Sequence, residues 1–160
     1  HQEARRQRQM CIRDSHCPTS NTFIGSGLFD IARLASRSTK VGLATDIGGG
    51  SSFSMLRTMA CAYEIAQLRG IALHPAQLMW LATQGSAKAL HLDDQIGSLT
   101  AGMAADLVVL DLSSTLAISQ RSTSANDIWE ELFPTIMMGD DRAIVATHVA
   151  GEKAYQRGVI

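Results

Sequence analysis

This sequence has little with which to cross a membrane or coat a polyanion. No apolar run approaches the roughly 20 residues of a membrane span, and no signal peptide is expected. Its 14 Lys and Arg nearly balance 15 Asp and Glu, for a net charge of −1. No bulk charge therefore draws it to nucleic acid or to a membrane surface, and neither partner is expected. Cysteine is scarce: Cys11, Cys17 and Cys61 form no disulfide framework and leave one odd. Together with seven methionines this reads as a reducing cytosol, and a cytoplasmic chain is expected. The Rossmann G-x-G-x-x-G spacing is absent. No histidine has a second one at i+2 or i+4, so there is no local zinc clip.

What is present is a globular chain, 46% hydrophobic and only 18% charged, which excludes disorder. One domain, or two small ones, fits 160 residues. Residues 1–15, HQEARRQRQMCIRDS, carry four arginines and almost no apolar surface. They read either as a basic arm or, more plainly, as a tag, scar or assembly artefact outside the fold.

Next comes His16-Cys17-Pro18-Thr19-Ser20-Asn21, a polar loop, and a short helix is expected over Leu28–Leu34. Val41–Thr45 has strand character. Ser54 to Leu68 has helical spacing, with Met55, Met59, Ala62 and Ala66 on one face. Gly70 closes that helix and Pro75 opens another, with Leu78, Leu81, Ala82, Gly85 and Ala89 aligned. After Asp94 the texture changes to turns and a short strand around Leu107–Leu110. Residues 113–125 read as extended or disordered. Asp127–Met138 reads as a weak helix broken at Pro134, and Ile144–Tyr155 as a hairpin.

The most informative stretch is VGLATDIGGGSSFSMLR, residues 41–57. It places Asp46 just past a buried strand, where α/β enzymes put their chemistry. Such a carboxylate can ligate a metal, orient a water or act as a base. The plainer reading is a helix N-cap. Gly48-Gly49-Gly50 speaks against a mere cap, because glycine lets backbone approach whatever Asp46 holds. DIGGGSS also looks like the phosphate-binding turn of sugar kinases, but that turn joins two strands, and here Ser54 opens a helix. His74, His91 and His148 read as surface or half-buried residues, Cys17 as packed, and Met137, Met138 and Trp129 as core.

HCPTSNTFIGSGLFDIARL, VGLATDIGGGSSFSMLRTM and ATQGSAKALHLDDQIGSLTAGMAADLVVLD together resemble the guanine deaminases of the amidohydrolase superfamily. The resemblance covers residues 16–160. It implies an α/β fold, namely the C-terminal part of a metal-dependent (β/α)8 barrel followed by the C-terminal strands of a small β-sandwich. Residues 16–95 would belong to the barrel and 96–160 to the sandwich with an intervening helix. It also implies hydrolytic deamination of guanine to xanthine and ammonia, a zinc cofactor, a small purine substrate and a homodimeric whole enzyme. Triazine hydrolases and nucleoside deaminases are the neighbouring activities.

Asp46 matches the family's eighth-strand aspartate, a zinc ligand and proton acceptor. His16, Ser20 and Asn21 match the loop after the seventh strand, and with Gly48 and Gly49 they would line the pocket. The family's His-x-His pair, its other histidine ligands, its proton-shuttling glutamate and its guanine-reading arginine and glutamine match nothing here. A full barrel takes about 250 residues. The expectation is an incomplete, inactive C-terminal piece, with a truncated non-catalytic chain as the bland alternative.

Overall fold

A computed structural model of the chain describes residues 13–31 and 40–158. Two short strands, β1 (Arg13–His16) and β2 (Lys40–Leu43), pair in parallel, with Arg13 opposite Lys40 and His16 opposite Leu43. β1 thus begins three residues inside the segment expected to be a foreign arm. Between the strands lies α1 (Pro18–Phe23), which has proline in its first turn. Of the helix expected over Leu28–Leu34, residues 32–34 lie outside the described residues, and residues 28–30 are not helical.

Beyond β2 and a glycine turn comes α2 (Met55–Leu68), close to the expected span. Ser54 caps it, its Oγ accepting the Arg57 N–H at 3.3 Å. At the far end Gly70 takes φ +74°, and the N–H groups of Gly70 and Ile71 close back on Gln67 and Ala66. Met59, Ala62 and Ala66 are buried, as their spacing predicts.

The second expected helix is two. α3 (Pro75–Ala82) and α4 (Gln84–Leu90) break at Thr83, whose backbone leaves the helical region at φ −123°, ψ −97°. The break turns α4 back: a Cβ on Gly85 would lie 2.8 Å from the Trp80 ring. It also seats α4 against β2, where a Cβ on Gly42 would lie 2.6 Å from Ser86 Cα. The Ser86 hydroxyl reaches the carbonyls of Leu43 (3.1 Å) and Leu81 (2.7 Å).

Downstream, β3 (Leu107–Leu110), β4 (Ile144–Val149) and β5 (Glu152–Gln156) form an antiparallel sheet in that order. The β4–β5 link is the expected hairpin. Ala150 and Gly151 both take positive φ, 52° and 84°, as a tight two-residue turn between twisted strands requires.

Two expectations fail between β3 and β4. Residues 113–125 are not extended: α5 (Leu116–Ser122) forms there, capped by Thr115, with Ile118 fully buried. Pro134 does not interrupt α6 (Ile128–Met138). The carbonyl its ring leaves unpaired belongs to Glu130, an exposed residue in the first turns, where water can serve it. Asp127 secures that end by accepting the Trp129 and Glu130 N–H groups at 2.8 and 2.9 Å.

Leu132 and Ile136 of α6 join Leu56 and Met59 of α2, Leu78 and Leu81 of α3 and Val41 and Leu43 of β2 in one core. That core fixes the parallel strands and aims their carboxyl ends outward. Among the described residues, no helix is long and apolar enough to cross a membrane.

Candidate functional site

The site begins from the parallel register. Because His16 and Leu43 are paired, β1 and β2 end side by side, and the Ala44 N–H donates to the His16 carbonyl at 3.1 Å. The chain then turns sharply. Asp46 sits at φ +50°, and its carbonyl accepts N–H bonds from Gly49 (2.9 Å) and Gly50 (2.6 Å). Gly50 has no alternative, since a Cβ there would lie 2.3 Å from the Thr45 carbonyl oxygen. The turn runs into helix, not into a second strand, so the phosphate-loop geometry is absent here. Asp46 is no helix cap either, because Ser54 fills that role for α2.

The Asp46 carboxylate is exposed, yet held. Ser20 Oγ donates to Asp46 Oδ2 at 2.6 Å, across 26 residues of sequence. Ser20 is 1% exposed, on α1. Gly49 leaves room for that bond, since a Cβ there would lie 2.9 Å from Oδ2 and 3.3 Å from Ser20 Oγ. The structure therefore brings Asp46, Ser20 and Gly49 together.

The remaining residues expected in the pocket are placed differently. His16 is 2% exposed and stacked on Phe29 at 4.3 Å between ring centroids. Burial lowers its pKa to about 4, so it is neutral near pH 7, and its Nδ1 has no hydrogen-bond partner. Asn21 is half-buried and accepts the Ser26 hydroxyl at 3.1 Å. Gly48 is exposed at the tip of the turn. Cys17 is half-buried, and burial, aided by the Asp46 charge, raises its pKa. It is a protonated thiol and a poor nucleophile.

Thr19 was not singled out by its sequence. It is 1% exposed, its Oγ1 lacks a partner, and a Cβ on Gly50 would lie 3.3 Å from that oxygen. No local pattern marks it, because the contact exists only once β1 and β2 pair. Trp129 is likewise not a core residue. It is 36% exposed and lines a separate cleft of about 670 Å3 with Tyr63, His74 and Phe133. Met138 is 44% exposed, while Met137 packs on the core.

Zinc tests this site directly. Among the described residues no group of three or more His, Cys, Asp or Glu could hold a metal ion. Asp46 brings one carboxylate, and a catalytic zinc takes about three protein ligands. The donors in this chain do not by themselves make such a site.

Comparison with known proteins follows the same lines. The amidohydrolase family profile matches residues 2–154. Guanine deaminase of Escherichia coli K12 is 42% identical over 141 residues, covering 88% of this chain and 32% of that protein. Its solved structure superimposes with a TM-score of 0.86 over 89% of this chain and 34% of its own. A guanine deaminase from C. acetobutylicum, solved with guanine bound, gives 0.75 at 26% identity, over 88% of this chain and 33% of its own. An adenosine deaminase from Xanthomonas campestris, solved with bound zinc, gives 0.74 at 26% identity, over 91% and 33%. The chain thus spans about a third of the length of the curated relatives it matches. With a profile running through nearly its whole length and strands that present an aspartate at their carboxyl ends, the chain belongs to the amidohydrolase family.

Proposed function

We propose that this chain supplies one third of a guanine-deaminating enzyme, and that Asp46 is its working carboxylate. The reaction is hydrolysis of the exocyclic amine of guanine, giving xanthine and ammonia. The observation that carries this is Asp46 itself, presented past a parallel strand by a glycine turn. It stands in a chain 42% identical to a guanine deaminase.

In this reading β1 and β2, with the helices up to residue 95, contribute the last strands of a (β/α)8 barrel, and β3, β4 and β5 contribute to a small sandwich. Asp46 holds the attacking water and takes its proton onto the carboxylate, while Gly48 and Gly49 leave room for a planar ring beside it. Asp46 would hold a zinc only together with ligands from the rest of such an enzyme, and the metal would then supply an acidified water near neutral pH. With one ligand among its described residues, the chain alone is inactive.

A chimera tests this. The segment of E. coli guanine deaminase that matches this chain is replaced by residues 13–160, and ammonia release from guanine is measured. Activity is expected, and Asp46→Ala in the chimera should lower it by at least about a thousandfold. A folded, zinc-loaded chimera that turned over a triazine or a nucleoside and left guanine untouched would overturn the substrate.

A further inference from the structure

We propose that Ser20 is a positioning residue which, in space that Gly49 leaves open, clamps one oxygen of Asp46 and commits the carboxylate to work through the other. The proposal rests on reading Asp46 as the working carboxylate.

An exposed aspartate on a turn ordinarily samples several side-chain rotamers. Asp46 is held at a single oxygen. Ser20 Oγ donates to Oδ2 at 2.6 Å, the short distance of a bond to a charged acceptor. Ser20 cannot drift away, because it is 1% exposed on α1, two residues past the Pro18 that opens the helix. Gly49 leaves this bond the space it needs, since a Cβ there would lie 2.9 Å from Oδ2 and 3.3 Å from Ser20 Oγ. Among the described residues Oδ1 accepts no hydrogen bond, so one free oxygen is left in a fixed direction.

Such an arrangement favours monodentate use of the carboxylate over bidentate use. It orders the group before any ligand arrives, so that ordering is not charged against the chemical step. Ser20 never needs to touch the substrate. It acts through Asp46.

The test needs no metal and no substrate, so it is separate from the chimera assay. In the 13C,15N-labelled 160-residue chain, the three-bond N–Cγ and C′–Cγ couplings of Asp46 report its χ1 rotamer. One rotamer is expected for the wild type. Ser20→Ala removes the clamp and should give averaged couplings. Gly49→Ala keeps the Ser20 hydroxyl but intrudes on Oδ2, and should also average the couplings or move them to another rotamer. Thr22→Ala alters the same helix at a hydroxyl that meets the Pro18 and Thr19 carbonyls and Cys61, and should leave Asp46 unchanged. The amide spectrum shows which variants fold, and if Ser20→Ala does not, Gly49→Ala decides. Wild-type couplings at Asp46 in either folded variant would overturn the clamp.

Discussion

A buried imidazole gives this chain its clearest dependence on pH. His16 ends β1 inside the fold, flat against Phe29, and burial holds its pKa near 4, against about 6.5 in an unfolded chain. Between those values the unfolded chain binds a proton that the native state refuses. Stability is therefore full above pH 6.5 and falls as the pH drops toward 4, by up to about 3 kcal/mol. Asp111, held low by the Ser113 N–H and Arg157, and Asp140, held low by Arg142, also contribute stability that fades in acid. The difference between wild type and His16→Phe isolates the histidine. Urea unfolding at pH 7, 5.5 and 4.5 should show that difference shrinking or reversing as the pH falls. Parallel curves for the two proteins would show that His16 titrates normally. At this scale the turn that carries Asp46 was legible, because a strand pattern ending in Asp and three glycines is a local signal. The Ser20 bond to it was not, because it joins residues 26 apart through a strand pairing that no short window records.

Legibility of the elements followed their length. The 14 residues of α2 give the hydrophobic period several turns in which to show, and Ser54 and Gly70 mark its ends. The seven residues of α5 give barely two turns, in a stretch crowded with Ser and Thr, which favour turns when nothing else intervenes. What intervenes is tertiary: Ile118 is fully buried, and Thr115 Oγ1 accepts its N–H at 3.3 Å. A helix so short has little stability of its own, so the cap should matter. Thr115→Ala is expected to cost about 1 kcal/mol in chemical denaturation. A loss below about 0.3 kcal/mol would show that burial of Ile118 holds the helix unaided. Thr83 makes the same point from the other side. The apolar positions from Leu78 to Ala89 keep phase well enough to look like one helix, and only the approach of Gly85 to Trp80 shows why the chain must turn.

On the scale of the whole chain, one core gathers β2, α2, α3 and α6, from residues as far apart as Val41 and Ile136. Periodicity identified those faces without saying which would meet. The resemblance of HCPTSN and TDIGGGSS to the guanine deaminases implied an assembly that periodicity could not, and a TM-score of 0.86 to the E. coli enzyme supports its α/β fold. The same comparison limits what the chain can do alone, since it covers 34% of that structure. A metal site of three ligands draws on strands spread around a barrel, and the described residues bring no group of three such donors together around Asp46. A single carboxylate at the surface binds a divalent ion weakly, because most of the ion's hydration is kept and only one favourable contact is made. The purified chain, equilibrated with zinc and dialysed, should therefore retain far less than one equivalent by atomic emission, and Asp46→Ala should retain the same amount. One equivalent held by the wild type and lost in Asp46→Ala would mean that ligands outside the described residues complete the site within these 160 residues.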